Sequence, residues 1–357
     1  MPTRSAFPRS LSSWSRSRAL ATVAAAGLLG ACALQDLTDP PNWDLGLNIP
    51  AKSTTIAVST MLPTGVSMSS DNAAFIVSVS SANVMRTLAQ VCTDCGPLNG
   101  LSAAKPAFNF SANTTTALPS DVTTATLASG TLAIAIQNGF GFDPLGAAGA
   151  MVITVTDANN RQLAKDSISG AGVIPASSTI NRTMTLAAGS LRGPLTITAT
   201  VNSPAGAAVT INTAQQITVT GTPQNIRIAD ATVAVSNKTI STSATELDLS
   251  DIDSAIRDRL LGGKLLLAIN NPFAVSGNLS LRLQGGSANI LKSLALTGGI
   301  SSPSIEFTQS EIRALMGNKI NLTISGPVNS AAPISVNPSQ QVKVDTRMEL
   351  TVSTESK

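Results

Sequence analysis

The chain has 357 residues, of which 43% are hydrophobic, 12% charged and 3% aromatic, and it contains neither histidine nor tyrosine. Without histidine, Ser-His-Asp and Cys-His hydrolases and imidazole zinc sites are excluded, and only carboxylate or Ser-Lys chemistry remains for an enzyme. A non-catalytic protein without a cofactor is the expectation. The net charge of +3 rests on Arg4, Arg9, Arg16 and Arg18; beyond Cys32, 19 basic residues face 20 acidic ones. No Lys/Arg cluster remains there, which argues against a nucleic-acid partner.

Those four arginines precede the apolar run Ala19 to Ala31, which ends at Leu29-Gly30-Ala31-Cys32. A basic start, a short apolar stretch and small residues before a cysteine read as an export signal, residues 1–31, closed by a lipoprotein box. The run is too short to span a bilayer comfortably. Cys32 is the predicted lipidation site, a multiply acylated membrane anchor, and Ala33 after it suggests the outer membrane of a bacterial envelope. Residues 32–42, with Pro40 and Pro41, form a polar tether.

Residues 43–112 form an N-terminal β-rich region. Trp43, Leu45, Leu47 and Ile49 alternate on one face of a strand that Pro50 is expected to stop, and strand-like runs follow at Thr55–Val58 and Ala74–Val79. Cys92 and Cys95 lie three positions apart. Outside the cytosol such a pair predicts a short disulfide that pins a local turn, ahead of redox chemistry or a zinc half-site, which would need further soft ligands.

From about residue 113 the chain repeats itself. Gly130-Thr-Leu-Ala-Ile-Ala-Ile-Gln-Asn138-Gly-Phe140 matches Gly263-Lys-Leu-Leu-Leu-Ala-Ile-Asn-Asn271-Pro-Phe273 at an offset of 133. Three further runs follow in step. Met151–Val155 parallels Leu279–Leu283, Leu195–Ser203 parallels Ile320–Ser330, and Val209–Val219 parallels Ile334–Val344. The offset shrinks gradually, so the length differences fall in loops. Residues 113–228 and 229–357 therefore read as two copies of one β-domain. Half-buried strands with Gly, Pro, Asn and Ser turns predict an all-β fold of tandem antiparallel β-sandwiches with one or two short helices, a barrel being the alternative. In the last strand, Gln341–Val352, the residues Val342, Val344, Thr346, Met348, Leu350 and Val352 share one face, and Lys343, Asp345, Arg347 and Glu349 the other.

Helix is expected over 250–261, with Ser250 as N-cap, an Ile252-Ile256-Leu260 stripe and Gly262-Gly263 as terminator. A second runs from Thr308 to Met316, with a Thr308/Glu311 capping box and Gly317 beyond it. The corresponding segment of the first copy, 186–193, lacks the box and reads as a turn. The acidic run Glu246–Asp253 marks a helix start rather than a metal site, because the intervening leucines and isoleucine face a core. Asn138-Gly139 and Asn271-Pro272 read as turn chemistry.

The strand-Asn-Pro-Phe-strand pattern Ala268-Ile-Asn-Asn-Pro-Phe273 resembles the water-stress and late-embryogenesis-abundant (WHy) domain, a fibronectin-like β-sandwich; the first copy departs from it with Gly139 in place of proline. The Trp43–Pro50 segment after a lipoprotein signal, followed by duplicated β-units, is similar to uncharacterised surface lipoproteins of Bacteroidota and Gemmatimonadota-like bacteria. Both resemblances imply a binding or structural module without catalytic residues. The expectation is a lipid-anchored envelope protein that binds, scaffolds or adheres through an envelope protein or surface ligand. A lipid carrier holding an acyl chain between its sheets is the alternative.

Overall fold

The computed structural model describes residues 44–146 and 148–353. The signal segment, Cys32, the tether and Trp43 lie outside the described residues. The described residues fall within one compact unit.

The chain opens with the long strand β1 (Asp44–Ala57), a 3-10 turn (Val58–Met61), and the short strands β2 (Val66–Met68), β3 (Phe75–Val77) and β4 (Ala82–Thr87). A one-turn helix α1 (Leu88–Val91), a 3-10 segment (Thr93–Leu98) and β5 (Ser102–Ala104) lead into the first copy. That copy comprises β6 (Phe108–Thr116), β7 (Val122–Asn138), β8 (Ala150–Thr156), β9 (Gln162–Ser169), β10 (Ser178–Thr185), β11 (Gly189–Leu191), β12 (Leu195–Ser203), β13 (Ala208–Thr210) and β14 (Gln216–Val233). The second copy begins with β15 (Lys238–Ser241), β16 (Thr245–Asp248), helix α2 (Ser254–Asp258), β17 (Leu260–Asn271), β18 (Val275–Gly285) and β19 (Ala288–Leu296). It ends with β20 (Gly299–Ser301), β21 (Ser304–Phe307), helix α3 (Gln309–Leu315), β22 (Lys319–Ser330), β23 (Ile334–Val336) and β24 (Gln341–Ser353).

All registered strand pairs are antiparallel, and the fold is all-β, two sandwiches in tandem with three short α-helices among the described residues. In the first sandwich, the sheet built on β10, β7 and β14 packs on the sheet β6-β12-β8-β9. Period-2 alternation directs Ile134 and Ile136 of β7, Ile153 of β8 and Val201 of β12 into a shared core, where each is at most 1% exposed. The sheets approach so closely at Gly221 that a Cβ there would stand 2.3 Å from Ile197 Cδ1. In the second sandwich, β1-β24-β17 with β20 and β21 faces β15-β22-β18-β19 with β16. There Leu265, Leu281, Leu283 and Ile320 are fully buried.

Strands from the first seventy described residues are distributed over both copies. β4 pairs with β14, β5 with β13, β6 with β12, and β1 with β24 at the far end of the chain. Pro50 does not stop β1. The register shifts between Ile49 and Lys52, so the residue lacking an N–H sits in a bulge and the strand resumes to Ala57. Thr346, fully buried, donates its hydroxyl to the Lys52 carbonyl just past that bulge (3.1 Å).

The expected helix over 250–261 shrinks to five residues, and its cap moves. The Asp248 carboxylate accepts from both the N–H and the hydroxyl of Ser250, which holds Ser250 in a local turn. Asp253 caps instead, accepting from Ala255 N at 2.7 Å. Gly262 and Gly263 are not a terminator; they lie within β17, where a Cβ on Gly263 would meet the Glu349 carbonyl at 2.9 Å. Segment 186–193 is not merely a turn, since Gly189–Leu191 pairs with β7 as β11. Helix α3 is capped by the reciprocal Thr308/Glu311 box, and Gly317 follows at φ +73°.

Candidate functional site

The outer face of β6-β12-β8-β9 is the most uniform surface of the first sandwich. In β12 the side chains of Leu195, Ile197, Ala199 and Val201 point inward, so Thr196, Thr198, Thr200 and Asn202 face out. The register extends each of these into a rank across the sheet. Thr196 lies between Thr115 and Thr156, Thr198 between Asn113 and Thr154, Thr200 between Ser111 and Val152, and Asn202 between Asn109 and Ala150. On the edge strand β9 the ranks continue to Gln162, Lys165, Ser167 and Ser169. Ranks of this kind repeat at about 4.8 Å across strands and about 7 Å along them. Lys165 is the one charged residue of that grid. Ser111 Oγ and Thr200 Oγ1 bond to each other at 3.1 Å.

The face of β1-β24-β17 is chemically different. Lys264 lies 3.2 Å from Glu349, Lys343 3.0 Å from Asp345 and Arg347 2.6 Å from Glu349. Surface pairs of this type contribute about 0–1 kcal/mol each and leave the face charged, with Glu349 shared between Lys264 and Arg347. A shallow cleft of about 350 Å³ opens on this side, lined by Ala51, Leu266, Ala268, Ser302 and Arg347 among others.

At the Ser203 end of β12 lies a buried polar cluster that no sequence pattern marks. Lys105, 4% exposed, donates to Ser203 Oγ at 2.7 Å and to the Pro204 carbonyl, with its ammonium 5.6 Å from the ring centroids of Phe108 and Phe142. Burial pushes its pKa down, against the opposing pull of the Asp143 carboxylate. This is the Ser-Lys pairing that composition had left open for chemistry, and Ser203 is 1% exposed. The serine accepts the ammonium's hydrogen bond and is closed off from solvent. In the second copy the equivalent Ser330 hydroxyl accepts instead from Val235 N at 3.0 Å.

Cys92 and Cys95 are joined by a disulfide with Cα atoms 5.3 Å apart, at the exit of α1, and both are at most 2% exposed. The acidic run is dispersed: Lys319 Nζ stands 3.0 Å from Glu246 and 3.6 Å from Asp248, and Asp253 caps α2. Asn138 and Asn271 do more than turn the chain. Each is 1% exposed, and each carboxamide oxygen accepts the N–H of the phenylalanine two residues on, Phe140 at 2.9 Å and Phe273 at 3.1 Å. The amide of Asn138 donates to the carbonyls of Phe142, Ile174 and Pro175, and that of Asn271 to Val275 and Thr297. The repeated Asn-x-Phe is thus a buried polar pin holding the crossover between sheets. It accounts for the motif that carried the WHy resemblance.

No protein-family model matches the chain, and no curated protein sequence matches it. Among the solved structures that overlap with it are the following two. One, described as a "putative secreted protein" of Parabacteroides distasonis, is 8% identical, covers 88% of this chain and all of its own length, and gives a TM-score of 0.33. The other, the tandem CBM22 modules of Paenibacillus barcinonensis Xyn10C, is 10% identical, covers 76% of this chain and 97% of its own, and gives 0.18. Overlaps of this quality define no family. The class rests on the strands themselves: a tandem antiparallel β-sandwich protein.

Proposed function

We propose that the protein is a non-catalytic surface module of the bacterial envelope, anchored through acylated Cys32, which adheres to a neutral, hydroxyl-rich polymer through the face of β6-β12-β8-β9. The observation carrying this reading is the grid dominated by threonine, serine and asparagine side chains, with Gln162, Val152 and Ala150 among them and Lys165 as its one charge. Neutral hydrogen bonds exchanged against water contribute only about 1 kcal/mol each, so such a face suits a ligand that engages many ranks at once. An extended neutral polysaccharide meets that requirement and a small molecule does not. The phenylalanines Phe108, Phe140 and Phe142, which could have stacked on sugar rings, are inside, so recognition falls to hydrogen bonding. The carrier alternative loses its room, since the cores between the sheets are filled by side chains at or near zero exposure.

Affinity electrophoresis of the chain in gels containing dextran, xylan or glucomannan tests this, with alginate as the charged comparison. Retardation by a neutral polymer that disappears in Thr198→Asp with Thr154→Asp is the expected result. Equal mobility in all gels would remove the assignment of this face. Cys32→Ser is expected to move the protein from the membrane to the soluble fraction; retention on the membrane would refute the anchor.

A further inference from the structure

The duplication shows that the second sandwich lacks a strand of its own. In the first, β4 runs beside β14 with Thr87 opposite Gln216 and Ala82 opposite Gly221, and α1 follows directly. Gln216 and Gln341 are equivalent in the repeated Gln-Gln-apolar-x-Val segment. Opposite Gln341 stands Ala57, and the turn Val58–Met61 follows directly. So β1 does for β24 what β4 does for β14. The first copy takes this strand from the segment just before it. The second takes it from the start of the chain, with Lys52 and Thr346 bonded across 294 residues.

Three features make that strand replaceable. Its twelve registered partners all lie on β24, so one edge holds it. It is interrupted by the bulge at Pro50 and Ala51; it commits Ile49 and Ile56 to the core with Leu47 half-buried against it, and the turn that moves with it adds Val58 and Met61. Beyond it, Leu62 to Gly65 form an irregular joint, in which Pro63 removes a donor and Gly65 takes φ +83°. Were β1 to leave, β24 would lose its twelve registered partners along one edge, and Val342 and Met348 on its inner side would lose their lateral neighbours Ile56 and Ile49. An edge of that kind templates another strand, and the sequence that fits its register is β1 of a second copy.

We infer that β1 is an exchangeable strand and that the β24 edge is a self-association surface for a second copy of this chain. The exchanged and unexchanged forms make the same contacts, so concentration and the joint decide between them. Reciprocal exchange closes a two-fold dimer; one-way exchange runs on as a chain. This does not depend on the hydroxyl face or its ligand.

The test uses two full-length populations in a Cys32→Ser background, one with Thr55→Cys and the other with Lys343→Cys, positions that face each other in the register. A single chain carrying both substitutions serves as control for closure of the bond. A cross-copy disulfide whose yield rises about tenfold for a tenfold increase in dilute protein is expected. As an independent readout, a fluorescent peptide with the sequence of residues 44–57 is added to the chain without cysteine substitutions, and its anisotropy is expected to rise as it enters the β24 edge. No peptide uptake after prolonged incubation at high concentration, with cross-linking confined to the doubly substituted chain, would overturn the inference.

Discussion

Asn138 and Asn271 show what a single side chain contributes to this fold. Each satisfies buried backbone groups that no ladder reaches, and removing one leaves those groups desolvated and unpaired, at about 1–3 kcal/mol per group. Asn138→Ala and Asn271→Ala are therefore expected to destabilise to a similar extent, because the Pro175 carbonyl keeps the Ser178 hydroxyl as a donor and each variant strands two carbonyls and one N–H. Urea unfolding at neutral pH checks this, and a loss confined to one variant would contradict the accounting. Lys105 makes a pH-dependent prediction. Burial lowers its folded pKa, so the unfolded chain holds a proton that the folded chain has released, and stability rises with pH between the lowered value and the unfolded one, about 10.4. Lys105→Met abolishes that slope. The stability difference between native chain and variant should therefore shift in favour of the native chain as alkaline pH rises, in thermal melts of the two. Neither role was visible in the sequence. The Asn-x-Phe repeat marked positions 138 and 271 but suggested only turns, and Lys105, between Ala104 and Pro106, had no pattern around it.

Elements were legible where local chemistry decides and illegible where a partner does. Helix α3 is written out by its capping box and following glycine, both of which act within a few residues. The segment after Glu246 carries equally good local signals, yet Asp248 holds Ser250 and β24 draws Leu260–Asn271 into a sheet. Tertiary pairing there outweighs helix propensity, which is worth only tenths of a kcal/mol per residue. The disulfide element remains local in its consequences. A loop as short as Cys92 to Cys95 restricts the unfolded chain by about 2 kcal/mol on the chain-entropy argument. Cys92→Ala with Cys95→Ala is thus expected to lower unfolding stability by about that amount while leaving the sandwich circular dichroism unchanged. A loss of folding in the double variant would show that α1 and the 3-10 segment depend on the bridge.

At the scale of the molecule, the duplication and the two-sheet architecture follow from period-2 patterning, which says which face of a strand is buried but not which strand lies beside it. That is why the alternation in β1 marks Leu47 and Ile49 as its buried side, although Leu45, expected to share that side, is 59% exposed, and why nothing in it points to the partner strand at the opposite end of the chain. The same topology sets an order of local stability. β7 and β14 are seventeen and eighteen residues long, pair with each other along most of that length, and carry neighbours on both sides. β1 has a neighbour on one side only, a bulge in its middle, two buried core side chains and a half-buried third, Leu47. Local openings follow the number of buried contacts that must be given up, so amides of β1 bonded to β24 should exchange with deuterium well before those of β7 and β14. β24 amides facing β17 should outlast those facing β1, because losing β1 leaves the β17 ladder intact. Hydrogen-exchange mass spectrometry on the full chain resolves the two strands. Protection of β1 equal to that of β14 would mean that the N-terminal strand opens only with the whole fold, and the β24 edge would then never be free.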